Sequence, residues 1–300
     1  MTAHDLAHSL MSRPRRNGPG WLVLCPVHGD KHPSLSLKDG DNGKLLVRCF
    51  AGCEAREILK TLRDMGLLDG ESSPVRPTPE PPKDDTERRI DRAEAIWNES
   101  APIKEGDPVH RYLAGRGITL PRYPEDLQCH SSLDYWEVSD AGKPVKTGTF
   151  PAMLAVVRSP QGRPVALLRT YLTEDGKKAP VDPVKKAYGV HPMQGGAVRL
   201  FPPKEGFLAV AEGVEDSLSA MILWGIPTWA CLGTSGMRTF QPPERVQELM
   251  IFADRDENGA GQKAALALAQ RLEDKGMAVR IRVPSGQKDL NQLLVKGIAR

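Results

Sequence analysis

The sequence predicts an α/β protein with three parts: a parallel sheet in the C-terminal third, a small mixed α+β region ahead of it, and a compact module at the N-terminus. Three observations carry this expectation. From Phe207 onward short apolar runs alternate with helix-patterned segments, two pairs of closely spaced Cys and His residues lie before position 54, and a proline- and charge-rich stretch follows them. Strands alternating with helices imply parallel pairing through right-handed crossovers. The expected boundaries are 1–70 for the N-terminal module, 71–85 for a linker, 86–200 for the mixed basic region and 201–300 for the sheet.

At 300 residues the chain has room for two or three modest domains. Hydrophobic residues make up 40% and charged residues 26%, ordinary for a water-soluble chain, and no apolar run is long enough to span a bilayer. The N-terminal MTAHDLAHSLMSRPRRNG lacks an apolar core of signal-peptide length and carries its arginines after the apolar residues, so a cytoplasmic location is expected. A net charge of +3 is too small to announce a polyanionic partner, which leaves the placement of the charges to decide. Three of the five cysteines crowd near the N-terminus beside a histidine, which suits metal binding in a reducing compartment better than disulfides.

Cys25-Pro26-Val27-His28 and Cys49-Phe50-Ala51-Gly52-Cys53 form two ligand knuckles around a polar segment that reads as a hairpin. Four soft or borderline ligands in two close pairs satisfy tetrahedral Zn²⁺. No ligand position is left for water, so Cys25, His28, Cys49 and Cys53 are expected to hold a structural zinc; His32 is expected at the surface. CPVHGDKHPSLSL followed by VRCFAGC resembles the zinc-binding domain at the N-terminus of bacterial replicative DNA primases. Three residues separate Cys49 from Cys53 where the bacterial enzymes usually have two, a spacing similar to phage and plasmid primases. The resemblance implies a zinc ribbon that touches single-stranded template and gives Lys31, Lys38 and Arg48 a use.

Gly70 to Lys83 is rich in proline and charge and poor in apolar residues, so an extended tether is expected. Thr86 to Ser100 turns helical, and Asp107 to Leu113 suggests another helix ending near Gly115. Cys129 and His130 have no partner pair and are read as packing. FPAMLAVVR and PVALLRTYL read as two strands joined by a Pro-Gln-Gly turn. Arginines and lysines then accumulate against few acids, as a polynucleotide-handling enzyme needs. ALLRTYLTEDGKKAP, VKKAYG and GGAVRLF look like the basic ridge that precedes the metal-binding domain of bacterial primases. On that likeness Arg169, Lys178 and one of Lys185 or Lys186 grip phosphates of the primer-template or nucleotide, and Arg199 adds to the same basic set.

The apolar run Phe207–Ala211 ends at Glu212-Gly213, and Leu249–Ala253 ends at Asp254-Arg255-Asp256, each followed by a helical pattern. Two strands of one parallel sheet would bring these three carboxylates to the same carboxyl edge, where open α/β sheets place ligands. Clustered acids repel unless a cation sits among them, which predicts Mg²⁺ or Mn²⁺. AEGVEDSLSA, CLGTSG, FADRDENGAGQKAA and KDLNQLL together resemble a Toprim domain, the catalytic module of bacterial primases, type IA and II topoisomerases and some nucleases. The likeness implies Glu212, Asp254 and Asp256 as catalytic metal ligands, with Asp216 and Asp289 completing the metal site. Cys231 lies in an apolar strand and is expected to be buried.

These readings converge on a DNA primase, for phage or plasmid replication, that makes short RNA primers from NTPs on single-stranded DNA by two-metal nucleotidyl transfer. No phosphate-binding helicase loop appears in the sequence, so unwinding is expected from a separate replicative helicase. The alternatives are a Toprim nuclease or topoisomerase-like enzyme and a non-catalytic single-strand-binding zinc protein. No tyrosine follows Tyr188 to serve as a topoisomerase nucleophile.

Overall fold

In a computed structural model, residues 2–17, 20–28, 30, 32–40, 45–68, 83–139, 143–256 and 259–297 are described. The expected tether at 71–85 falls mostly outside them, as does Lys31. The chain divides into two compact units, Met1–Glu80 with Tyr135–Gly148, and Pro81–Asp134 with Thr149–Arg300. No helix among the described residues is long and apolar enough to cross a membrane.

The first unit carries α1 (Ala3–Leu10), β1 (Arg15–Asn17), β2 (Gly20–Val23), β3 (Leu35–Asp39), β4 (Leu45–Cys49) and α2 (Ala55–Asp64). Its four strands form an antiparallel sheet in sequence order. A capping box between Thr2 and Asp5 starts α1, satisfying amide groups the helix leaves open. Leu6, Val23, Leu35, Leu37, Ile58 and Leu62 are buried to the last few percent, and Cys25 and Cys49 belong to the same small core.

The second unit begins with α3 (Lys83–Asn98), β5 (Ala101–Pro102) and α4 (Pro108–Ala114). Asp107 caps α4, accepting from the His110 amide at 2.6 Å, and Pro108 occupies the first turn, where its missing N–H costs nothing. Next come β6 (Leu127–Val138) and β7 (Pro144–Arg158), whose stretch Tyr135–Gly148 is counted with the first unit, then β8 (Pro164–Tyr171), β9 (Lys185–Gly189) and β10 (Ala197–Val198). β7 and β8 pair antiparallel across the Pro-Gln-Gly turn, as the two apolar runs and the turn between them implied. β6 was not foreseen: its run of Cys, His, Ser and Asp hides the apolar period of a strand, although Cys129 and His130 are indeed buried within it.

The remainder is β11 (Phe207–Ala211), α5 (Val214–Trp224), β12 (Thr228–Ala230), α6 (Thr234–Thr239), β13 (Glu248–Phe252), α7 (Ala260–Glu273), β14 (Ala278–Arg282) and α8 (Leu290–Lys296). Strands β14, β13, β11 and β12 lie side by side in that order and all run parallel. β10 joins β12 to β7 antiparallel, so a single sheet runs through the boundary expected at residue 200. Within β11, Leu208 and Val210 pack with residues of α7 such as Ala264 and Leu268, while Ala209 and Ala211 pack with Ala220 of α5 and Leu290 of α8. Helices therefore cover both faces of the parallel strands, which is why those strands read as continuous apolar runs. The first turn of α6 requires glycine at 236, where a Cβ would lie 1.7 Å from the Cys231 carbonyl oxygen.

Candidate metal and phosphate-binding site

Two ligand sets stand out, one in each unit. In the first unit Cys25 follows β2, His28 sits in the next turn, Cys49 closes β4 and Cys53 precedes α2. Their ligand atoms all lie within 4.8 Å of one another, and this is the one such group of three or more among the described residues. His28 turns Nδ1 toward Cys53 Sγ at 3.0 Å and places Nε2 2.5 Å from Asp30 Oδ1. Asp30 also accepts from the Cys25 amide at 3.0 Å and from the Ser34 hydroxyl. A carboxylate on the far nitrogen of a ligating imidazole fixes its tautomer and raises its basicity. The thiols share protons: hydrogen bonding from Cys25 carries Cys49 down to about 5, Cys25 is pushed up by the same bond and by burial, and burial carries Cys53 up to about 11. Such a set of donors fits a structural Zn²⁺. Asp30 escaped the sequence reading, though its place two residues past His28 was the available signal. His32 is exposed.

In the second unit the parallel strands deliver acids to their carboxyl edge. Glu212 follows β11 directly, and Asp254 and Asp256 follow β13. Asp216 occupies the first turn of α5, and Asp289 caps α8, accepting from the Gln292 amide at 2.8 Å. Contacts between loops hold the edge together. The Gly233 amide donates to the Glu212 carbonyl at 3.2 Å, and the Arg255 amide to the Lys288 carbonyl at 2.7 Å. The Gly261 amide donates to Asp256 Oδ2 at 3.3 Å, and the Asn291 amide to Asp216 Oδ1 at 3.1 Å.

The electrostatics are those of acids gathered with little counter-charge, Lys288 beside Glu212 being outweighed. Burial first, and then the charge and hydrogen bond of Glu212, push Asp254 up to about 8. Burial, with the charges of Asp254 and Asp289, pushes Asp216 up to about 7, and burial raises Glu212 as well. Glu212 and Asp254 act on each other's titration, and at neutral pH the raised Asp254 carboxyl keeps its proton. A divalent cation can take the place of that proton, so the residues fit Mg²⁺ or Mn²⁺. A consequence for stability follows. An acid whose folded pKa exceeds its unfolded value favours the fold while protonated, so these groups withdraw stability as pH rises from about 4 toward 8. Mg²⁺ is therefore expected to raise the melting temperature more at pH 8 than at pH 6; an equal rise at both would contradict the coupling.

The basic residues do not all reach this edge. Arg169 lies across the sheet from Lys186, with its guanidinium 5.4 Å from the ring centre of Tyr188 and 6.0 Å from that of Tyr171. Lys178 is exposed; lost hydration against its neighbours and the charges of Lys185 and Arg116 push it down, while Glu215 alone draws it up. Lys185 donates to both oxygens of Glu215, at 2.8 and 2.9 Å. Arg199 is occupied elsewhere, donating to the carbonyls of Ser159 and Pro160 and lying 4.7 Å over Trp229.

Several residues at the site were missed. Glu215 is 5% exposed; burial would raise it, but Lys185 and the Tyr112 hydroxyl at 2.7 Å outweigh burial and hold it at about 2. Arg116 lies over the Tyr112 ring and donates to Asn291 Oδ1 at 3.1 Å, while Asn291 Nδ2 donates to the Arg116 carbonyl at 2.9 Å and to Ser219 Oγ at 3.1 Å. The partners are 30 to 175 residues apart in the chain, so no local pattern announces them.

Residues 207–299 match the Toprim domain, and residues 87–200 match a family described as a domain of unknown function (DUF7146). Among solved structures the chain resembles a DNA primase domain from Pseudomonas aeruginosa, at 18% identity over 70% of this chain and 74% of that one, with a TM-score of 0.47. The zinc-binding and RNA polymerase domains of the Aquifex aeolicus primase align at 14% identity over 99% and 80%, with a TM-score of 0.39. The primase fragment of the bacteriophage T7 primase-helicase protein aligns at 17% identity over 92% and 95%, with a TM-score of 0.40. No curated protein sequence matches the chain.

Proposed function

We propose that this chain, whose residues 207–299 form a Toprim domain, is a cytoplasmic DNA primase that joins NTPs into short RNA on single-stranded DNA during phage or plasmid replication. The observation that carries the reading is the placement of Glu212, Asp216, Asp254, Asp256 and Asp289 at one edge of a parallel sheet, where their charges act on one another and Lys288 bears on Glu212. Mg²⁺ or Mn²⁺ held by Glu212, Asp254 and Asp256, with Asp216 and Asp289 beside them, would supply charge neutralisation at the triphosphate and activation of the attacking 3′-hydroxyl.

The chain's own residues do the rest. Lys178 is exposed with the cations Lys185 and Arg116 for neighbours, a setting that favours an anionic ligand, and it is placed to hold phosphate. Arg169 and Lys186, opposite one another on β8 and β9, extend that grip along the strand pair toward the primer-template. Glu212 and Asp254 are partly buried, so fixed charges at the edge act more strongly than they would in open water. The Cys/His module supports the same assignment, because its motif resembles the zinc-binding domain of primases and Lys38 and Arg48 stay exposed on it for template.

The test is a primer-synthesis assay with the full chain, mixed and polypyrimidine single-stranded templates, labelled NTPs and Mg²⁺ or Mn²⁺. Short template-dependent oligoribonucleotides are expected. Nicking of the template without synthesis would move the assignment to a Toprim nuclease, and template binding with neither product to a non-catalytic zinc protein.

A further inference from the structure

The first turn of α5 is held from outside the helix. Its N-cap is Gly213, which has no side chain to close the open amide groups, and no side-chain cap is made there. A Cβ at 213 would lie 3.0 Å from Asp216 Oδ2, so that carboxylate would have to shift to admit one. This uncapped turn carries Glu215 and Asp216 and follows directly on Glu212, and the charges of Asp254, Asp256 and Asp289 bear on it. Like charges at one edge push apart the elements that carry them. A helix start without a side-chain cap thus bears much of the repulsion.

Glu215 opposes that spreading. Its buried carboxylate accepts from the Tyr112 hydroxyl of α4 at 2.7 Å and from the Lys185 ammonium of β9 at 2.8 and 2.9 Å. Three bonds from two other elements therefore reach one side chain of a turn that lacks a cap of its own. Two of the three N–H donors of Lys185 are taken up in this way.

We propose that Lys185 and Tyr112 are positioning residues of the acidic site, acting through Glu215 to hold the first turn of α5 so that Glu212 and Asp216 stay converged with Asp254. The inference rests on reading those acids as divalent-cation ligands. It separates two roles that sequence alone merges, because a lysine that only gripped phosphate would leave cation affinity alone. The sign of the effect discriminates further. Removing a cation from beside a cluster of acids should, by Coulomb attraction alone, tighten Mn²⁺ binding; loss of positioning should weaken it.

The experiment titrates Mn²⁺ alone into the zinc-loaded full chain, read by calorimetry or by the electron-spin signal of free Mn²⁺. Lys185→Gln is expected to weaken binding about tenfold, the usual scale for losing a residue that orients metal ligands. Lys185→Arg, which keeps the charge-assisted pair, is expected to stay within about twofold of the parent. Tyr112→Phe, which removes one hydrogen bond and no charge, should weaken binding about threefold. Folding is monitored by melting temperature in each case. Unchanged or tighter Mn²⁺ binding in a folded Lys185→Gln chain would overturn the proposal. Should that variant fail to fold, Tyr112→Phe decides, and an unchanged affinity there overturns it equally. Failure of the parent chain to bind Mn²⁺ would instead remove the acidic-site reading and this inference with it; binding that ignores both variants removes the inference alone.

Discussion

Asp254→Asn is expected to lower primer synthesis about 10³-fold or more while raising the melting temperature of the ion-free protein. The activity loss follows from removing a ligand charge worth several kcal/mol at the reacting phosphate, with each ~1.4 kcal/mol equal to a factor of ten. The stability gain has the same origin. Asp254 is pushed up to about 8 because burial and Glu212 both disfavour its charge, so at pH 8 the folded chain holds an anion it would shed. An amide of the same shape removes the repulsion. The gain should be small at pH 5, where the carboxyl is already protonated in the fold, and should grow toward pH 8. Synthesis and melting, measured on one preparation at both pH values, test the two halves together. Activity within about tenfold of the parent would take Asp254 out of the chemistry. A fall in melting temperature at pH 8 would show that its charge is compensated in a way the acidic cluster does not reveal.

The second large effect concerns the Cys/His set. Cys49→Ser, or removal of zinc by a strong chelator, is expected to unfold the first unit and leave the second folded. Its core is small, built from residues such as Leu6, Val23, Leu35, Leu37, Ile58 and Leu62, with the ligands Cys25 and Cys49 inside it. A structural Zn²⁺ contributes about 10–16 kcal/mol in zinc-finger peptides, more than a core of this size can replace. Without the cation, three thiols and an imidazole are left within 4.8 Å of one another in a half-dry site. Limited proteolysis should then cut within residues 1–68 while fragments of the C-terminal region persist, and metal analysis of the parent should return one zinc per chain. An N-terminal unit that stays protease-resistant after zinc is gone would refute the structural role.

The elements read most reliably from the sequence were those whose signal is local. Phe207–Ala211 is a run of five apolar residues, and the strand observed there has the same limits. Asp107-Pro108 marks a helix start through the chemistry of a cap and a fixed φ, and α4 begins there. The Cys and His ligands declared themselves by spacing, because a chelating turn is short. Where the signal was not local, the sequence was silent. β6 carries too many polar residues for period-two counting, and its place in the sheet comes from pairing with β5 and β7.

The acidic site divides along the same line. Which carboxylates could meet was legible, because each follows the end of a strand and parallel strands share a carboxyl edge. What each basic residue does there was decided by folding alone. Lys178, Lys185 and Arg199 look alike in sequence, yet one is left among cations, one is tied to Glu215, and one is committed to the Ser159–Pro160 turn and Trp229. The amino-acid order determined the strand ends, the ligand types and hence the kind of ion each site can hold. Only the tertiary structure decided the buried bonds among Tyr112, Lys185 and Glu215 and those between Arg116 and Asn291, because they join residues far apart in the chain, and such proximity is a property of packing that no short window of sequence contains.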